Sequence, residues 1–167
     1  TWILGEDSMQ MKAVHGEISV GPMSSQGTLK LPVGKRSLLL LSARAAYLNL
    51  LYSKWLEVEE DRVNYDFSDY NFSFITQLNA HHVLKWEAYW GYDRVKLTQA
   101  DYGLSAKLRW NNTMAALHWY SKWGNVSSEQ MLYYSRYANR IGVDELSFDV
   151  GLRSWIYDIG YKGDVKW

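Results

Sequence analysis

The residues able to do chemistry are few in this 167-residue chain. It has four His and no Cys, which removes thiolate metal sites, a thiol nucleophile and a disulfide scaffold. His81 and His82 form the only His pair, and adjacent residues on a strand or tight turn point apart, so they read as solvated turn residues rather than metal ligands. His15 and His118 stand isolated, and spacing brings no Ser, His and carboxylate together as a hydrolytic triad. No phosphate loop, dinucleotide fingerprint or metal-ligand spacing occurs, and no cofactor is implied. What remains is a scattered polar set of both signs, including Arg44, Asp69, Asn71, Lys85, Glu87, Asp93, Lys107, Asp149 and Arg153. Such a set suits charge pairing and the lining of a hydrated surface better than bond-making.

The elements that would position this set are strands. Leu84, Trp86, Ala88, Trp90 and Tyr92 alternate with Lys85, Glu87, Tyr89, Gly91 and Asp93, a period of two that separates the sets onto two faces. The same split recurs at Tyr70, Phe72 and Phe74 against Asp69, Asn71 and Ser73, and at Leu146, Phe148, Val150 and Leu152 against Ser147, Asp149, Gly151 and Arg153. Weaker alternation over 15–23, 25–33, 37–52, 104–120 and 126–137 brings the expectation to about eight antiparallel strands. In 104–120 the apolar parity changes from even (Leu104 to Trp110) to odd (Ala115 to Trp119), which predicts a β-bulge near Asn111–Asn112. Tight turns are predicted at Gly34–Arg36, Asn79–His82 and Lys122–Asn125, and longer polar loops over 53–62, 94–103 and 138–143.

Composition and loop pattern bear on the surroundings of the sheet. Lys plus Arg and Asp plus Glu are both 18, which argues against a nucleic-acid partner. Nine Trp and thirteen Tyr exceed four Phe, and they gather near strand ends: Tyr47, Trp90, Tyr92, Trp119 and Tyr134 among them. Rings with polar edges at both ends of an apolar band form an interfacial girdle. With strands of roughly 10 to 16 residues and alternating short and long connections, these features favour an antiparallel transmembrane β-barrel over an aromatic-rich soluble one. Parity would then turn Trp86, Trp90 and Phe148 to lipid and the polar set to the lumen. There it serves as scaffold or as substrate contact.

Five runs in order resemble one family. Met11 to Ser25 (MKAVHGEISVGPMSS) is similar to the passage from plug domain to first barrel strand in TonB-dependent outer-membrane receptors, narrowly the SusC-like group. Leu41 to Leu51 (LSARAAYLNLL) resembles their third strand, and Tyr65 to Ser73, with Asp69 and Asn71 inward, the fourth. Leu108 to Trp119 (LRWNNTMAALHW) is similar to a Trp-Gly-Asn…Ala-Ser-Leu-Arg-Trp strand, and Tyr133 to Tyr137 (YYSRY) to the end of the next. Ala45 and Asn111 depart from the pattern, which has a basic residue and a Gly there.

The resemblance implies residues 1–14 as the end of the plug-to-barrel connection and 15–167 as the N-terminal strands of a roughly 22-stranded barrel, without its plug. It implies energised import of a bulky nutrient (siderophore, oligosaccharide or peptide) across the outer membrane of a Gram-negative bacterium. The implied partners are outer-membrane lipid, the rest of the barrel and plug, the TonB machinery and a surface lipoprotein. Two alternatives stay open: a complete eight-stranded outer-membrane barrel with a structural or adhesive role, and an outer-membrane enzyme.

Overall fold

A computed structural model describes residues 13–47, 57–58, 61–99, 104–145 and 148–167. The expected plug connection at 1–14 therefore lies almost wholly outside the described residues. The strands are β1 (His15–Val20), β2 (Ser24–Val33), β3 (Ser37–Ala46), the two-residue β4 (Glu57–Val58), β5 (Asp61–Gln77), β6 (His82–Gln99), β7 (Leu104–Trp123), β8 (Val126–Glu145) and β9 (Phe148–Lys166). All pair antiparallel in one sheet of order β1-β2-β3-β5-β6-β7-β8-β9, with β4 against the start of β5. The eight strands of that path match the expected number. The sheet is open: β1 and β9 are its edges, and nothing among the described residues joins them.

The tight turns fall where they were expected. Gly34 and Gly124 take positive φ of 70° and 56°, which glycine alone adopts at little cost. Asn79 Oδ1 accepts from the backbone N–H of His81 at 2.8 Å and of His82 at 3.0 Å, closing the β5–β6 turn.

The other connections differ from expectation. Residues 94–99 belong to β6 and 138–143 to β8, so those polar stretches are strand rather than loop. With 17 to 20 residues each, β5 to β9 are also longer than expected. The bulge is absent as well, since the ladders run through Tyr92↔Asn111, Gly91↔Asn112 and Asn111↔Ala138 without a skipped residue.

The register explains both departures. Directly opposed residues share a face, so each rung of the sheet can be read across it. On one face, called here the Trp90 face, one rung reads Leu31–Leu39–Phe74–Trp86–Leu117–Leu132–Tyr161. The next reads Leu29–Leu41–Phe72–Ala88–Ala115–Tyr134–Ile159. Further from the short turns the rungs become Ser68–Tyr92–Asn111–Ala138–Trp155, then Asp66–Arg94–Arg109–Arg140–Arg153.

The opposite face, the Asp69 face, does the reverse. Near the short turns it is mixed, with Lys85, Glu87 and His118 beside Leu38, Ile75 and Val83, and it is apolar beyond, with a rung of Tyr65–Val95–Leu108–Ile141–Leu152. Both faces exchange polarity at one level. The parity change in β7 is that exchange, and strand continuity survives it because the backbone ladder is indifferent to which side is wet.

The described sheet has little core of its own. Leu38, Ile75 and Val83 are its buried apolar residues, all on the Asp69 face by the short turns. The large apolar side chains of the other face stay open, Trp86 at 54% and Leu132 at 55%.

Candidate functional site

The polar half of the Asp69 face gathers six of the nine predicted residues: Arg44, Asp69, Asn71, Lys85, Glu87 and Asp93. They form two side-chain clusters. In the first, β3 places Arg44 opposite Asp69 of β5. Arg44 donates from Nε at 2.9 Å and from Nη2 at 2.6 Å to Asp69 Oδ2, while Tyr89 of β6 donates its hydroxyl to Oδ1 at 2.9 Å. The Arg44 guanidinium also lies 4.9 Å from the Phe67 ring centroid, a cation–π contact.

Gly91 sits directly opposite Asp69, and a side chain there would strike the Tyr89 hydroxyl. The glycine makes room for the tyrosine to reach across. Asn71 and Arg44 border a hollow of ≈ 360 Å³ shared with Gln26, Thr28, Ser42 and Tyr89. Beyond it, the Tyr65 hydroxyl donates to Asp93 Oδ1 at 3.1 Å, and burial, then that bond, raises the Tyr65 pKa.

The second cluster centres on a residue that sequence spacing left isolated. His118 of β7 sits opposite Lys85, with Nε2 3.1 Å from Glu87 Oε2 and Nδ1 3.4 Å from Glu129 Oε1. Lys85 Nζ pairs with Glu87 Oε1 at 2.8 Å, and the Tyr120 ring stacks on His118 at 5.7 Å. Glu129 comes from β8, and no local pattern links it to His118. Only the register could have shown it. With both ring nitrogens against carboxylates, His118 cross-links three strands and is not presented as a free base. Among the described residues no group of His and carboxylates is arranged to hold a metal ion.

No family model, curated protein or solved structure matches the chain significantly.

Three predicted residues fall on the other face. Lys107 and Arg153 lie on the Trp90 face, and register puts Asp149 in the same row. They do not share a face with the other six because these positions lie beyond the exchange of polarity. The same reasoning corrects Phe148, whose register row is that of Val150 and Leu152 rather than that of Trp86 and Trp90.

The aromatic residues divide more simply. Trp90, Tyr92, Trp119 and Tyr134 all occupy the Trp90 face. Trp90 stacks on Tyr92 at 6.2 Å and tilts against Tyr70 at 5.4 Å. Trp119, by the short turns, donates its indole N–H to His82 Nδ1 at 3.0 Å. Tyr47 follows β3 and donates its hydroxyl to the Gly21 carbonyl, tying the β1–β2 turn to the end of β3.

What the Asp69 face can do is hold neighbouring strands in register by charge-assisted bonds and offer its hollow to a polar occupant. Asp69→Ala would strand Arg44 and the Tyr89 hydroxyl together. The expected loss is about 1–2 kcal/mol, at the low end for a charged bond because Arg44 is half exposed. Asp69→Leu combined with Arg44→Met should recover part of it. Urea midpoints of the two variants test this, and an unchanged midpoint for Asp69→Ala would refute the pairing's role.

Proposed function

We propose that the chain is a membrane-spanning segment of an outer-membrane β-barrel of the TonB-dependent receptor kind, which imports a bulky nutrient such as a siderophore, oligosaccharide or peptide. The observation that carries this reading is the exchange of polarity on both faces at a single level. A soluble sheet keeps one face dry along its length. A strand that leaves a bilayer changes its surroundings on the lipid side, and lumen packing changes with depth.

Lengths support the same reading. Leu84 to Tyr92 on β6 and Gln130 to Ala138, level with it on β8, each match the roughly 9–11 residues that cross a bilayer at a tilt. At about 3.3 Å per residue, the 20 residues of β7 extend roughly 65 Å, so much of that strand stands outside the hydrocarbon. Trp119 and Trp123 near one boundary, and Tyr70, Trp90 and Tyr92 at the other, mark the interfaces.

The open edges favour a segment of a larger barrel over a sealed eight-stranded one. An unpaired edge in lipid leaves a row of backbone groups without partners. The two ionic clusters then face the lumen, where they bond the plug or line the path of the nutrient. TonB-driven transport and a lipoprotein lid come from the family resemblance of the sequence runs.

Two readouts on the full-length protein test this. Brominated lipid should quench fluorescence of Trp86 and Trp90, and nutrient accumulation in cells should collapse when the proton-motive force is dissipated. Absent quenching would rule out the membrane reading. Accumulation that persists without the force would leave a passive barrel instead of an energised receptor.

A further inference from the structure

The rung just beyond the apolar band of the Trp90 face carries an unusual charge arrangement. Arg94, Arg109, Arg140 and Arg153 stand directly opposite one another on four successive strands. Neighbouring strands lie about 4.8 Å apart, and like charges set opposite each other oppose pairing. Only the end of the row is neutralised by protein: Arg94 Nη2 meets Asp66 Oδ2 at 2.6 Å. Among the described residues no carboxylate pairs with Arg109, Arg140 or Arg153, and all three are exposed.

The surroundings are shaped as a receptacle. Arg109, Arg140 and Arg153 border a groove of ≈ 280 Å³ together with Arg136, Tyr92 and Trp155. Arg136 is steadied over the Tyr157 ring at 5.6 Å, and Gly142, one rung above, leaves open space. Below lie Tyr134 and Ile159 of the apolar band.

We propose that this arginine row binds the phosphate groups of an anionic membrane lipid, whose acyl chains lie along the apolar rungs below. The inference rests on the membrane reading above, because it takes the row to stand at headgroup depth. Phosphate fits for two reasons. A guanidinium fork matches its oxygens, and a phosphate monoester carries about −1.5 to −2 charges, enough to span adjacent arginines. Carboxylates bring one charge each and would leave the row under-neutralised.

The test uses the full chain in mixed micelles of neutral detergent with bis-phosphorylated lipid A, with the dephosphorylated glycolipid as control. Lipid that co-purifies is counted by mass spectrometry. Wild type should retain the phosphorylated form selectively. The triple variant Arg109→Gln, Arg140→Gln, Arg153→Gln should retain roughly ten-fold less or lower, and the corresponding Lys triple variant an intermediate amount. Removing like charges relieves repulsion, so the Gln variant should fold. Trp86 and Trp90 quenching by brominated lipid verifies its insertion.

Equal retention by wild type and the Gln variant, with quenching intact, overturns the phosphate site and leaves the membrane reading standing. Absent quenching in wild type removes both. Complete displacement of the lipid by inorganic phosphate would show a site for a free anion and overturn the lipid assignment.

Discussion

Ala88→Arg should cost about 2–4 kcal/mol of assembly in the bilayer, while Asn64→Arg should change it by less than about 1 kcal/mol. Both residues lie on the Trp90 face of adjacent strands, and both stand in regular ladder positions. Ala88 sits in the apolar rung between Phe72 and Ala115 and is exposed, whereas Asn64 lies opposite Lys96 beyond the exchange level. In water, a long charged side chain at either site would simply extend into solvent and cost little. In lipid, the Ala88 site is near the middle of the band, too far from either boundary for cheap escape, and the Asn64 site is already among charges. The ratio of folded to unfolded protein in urea-titrated vesicles measures the two effects. Two small and equal effects would mean that the Trp90 face is not buried in hydrocarbon.

The alternation of Leu84 to Tyr92 was enough to place β6, because a period of two admits only strand geometry. The positive-φ turns at Gly34 and Gly124 were legible for the same local reason. The error came where one rule was extended along a whole strand. Lys107 and Arg153 have the parity of the polar set in their own segments, yet they sit beyond the level at which the two faces exchange polarity. In β7 the exchange shows in the sequence as a phase shift at Asn111–Asn112, the pattern from which a bulge is expected. A bulge and an exchange of polarity between the faces produce the same sequence signal, and only the unbroken ladder separates them.

The candidate site was half legible. Arg44, Asp69, Lys85 and Glu87 share a face by parity alone, but parity does not say which residues of different strands meet. That Tyr89 reaches Asp69 across Gly91, and that His118 joins Glu87 to Glu129, depends on register set by turn lengths far along the chain. The arginine row was hidden for the same reason. Its members are far apart in sequence, and each alone reads as an ordinary surface residue.

Ile75→Ala is the second large effect expected, about 2–4 kcal/mol in urea denaturation, with Ile75→Val near 1 kcal/mol. Ile75 is only 3% exposed, opposite Leu38 on β3 and Lys85 on β6. With Val83 it forms a dry corner under the Lys85–Glu87–His118 cluster, by the short turns. The large apolar side chains of the Trp90 face by the short turns, Trp86 and Leu132 among them, are exposed; on the membrane reading, lipid would satisfy them in the folded state and burial against protein would add little. Truncating Leu132, 55% exposed on that face, should therefore cost less than truncating Ile75 even though both lose a similar hydrocarbon volume. In a water-soluble sheet the order could not be set this way, because the Trp90 face would need its own cover and Leu132 would share in it. Equal losses at the two positions would show that both faces are packed against protein. A larger loss at Ile75 would place the structural anchor inside, at the short-turn end, where the ionic cluster needs a fixed base.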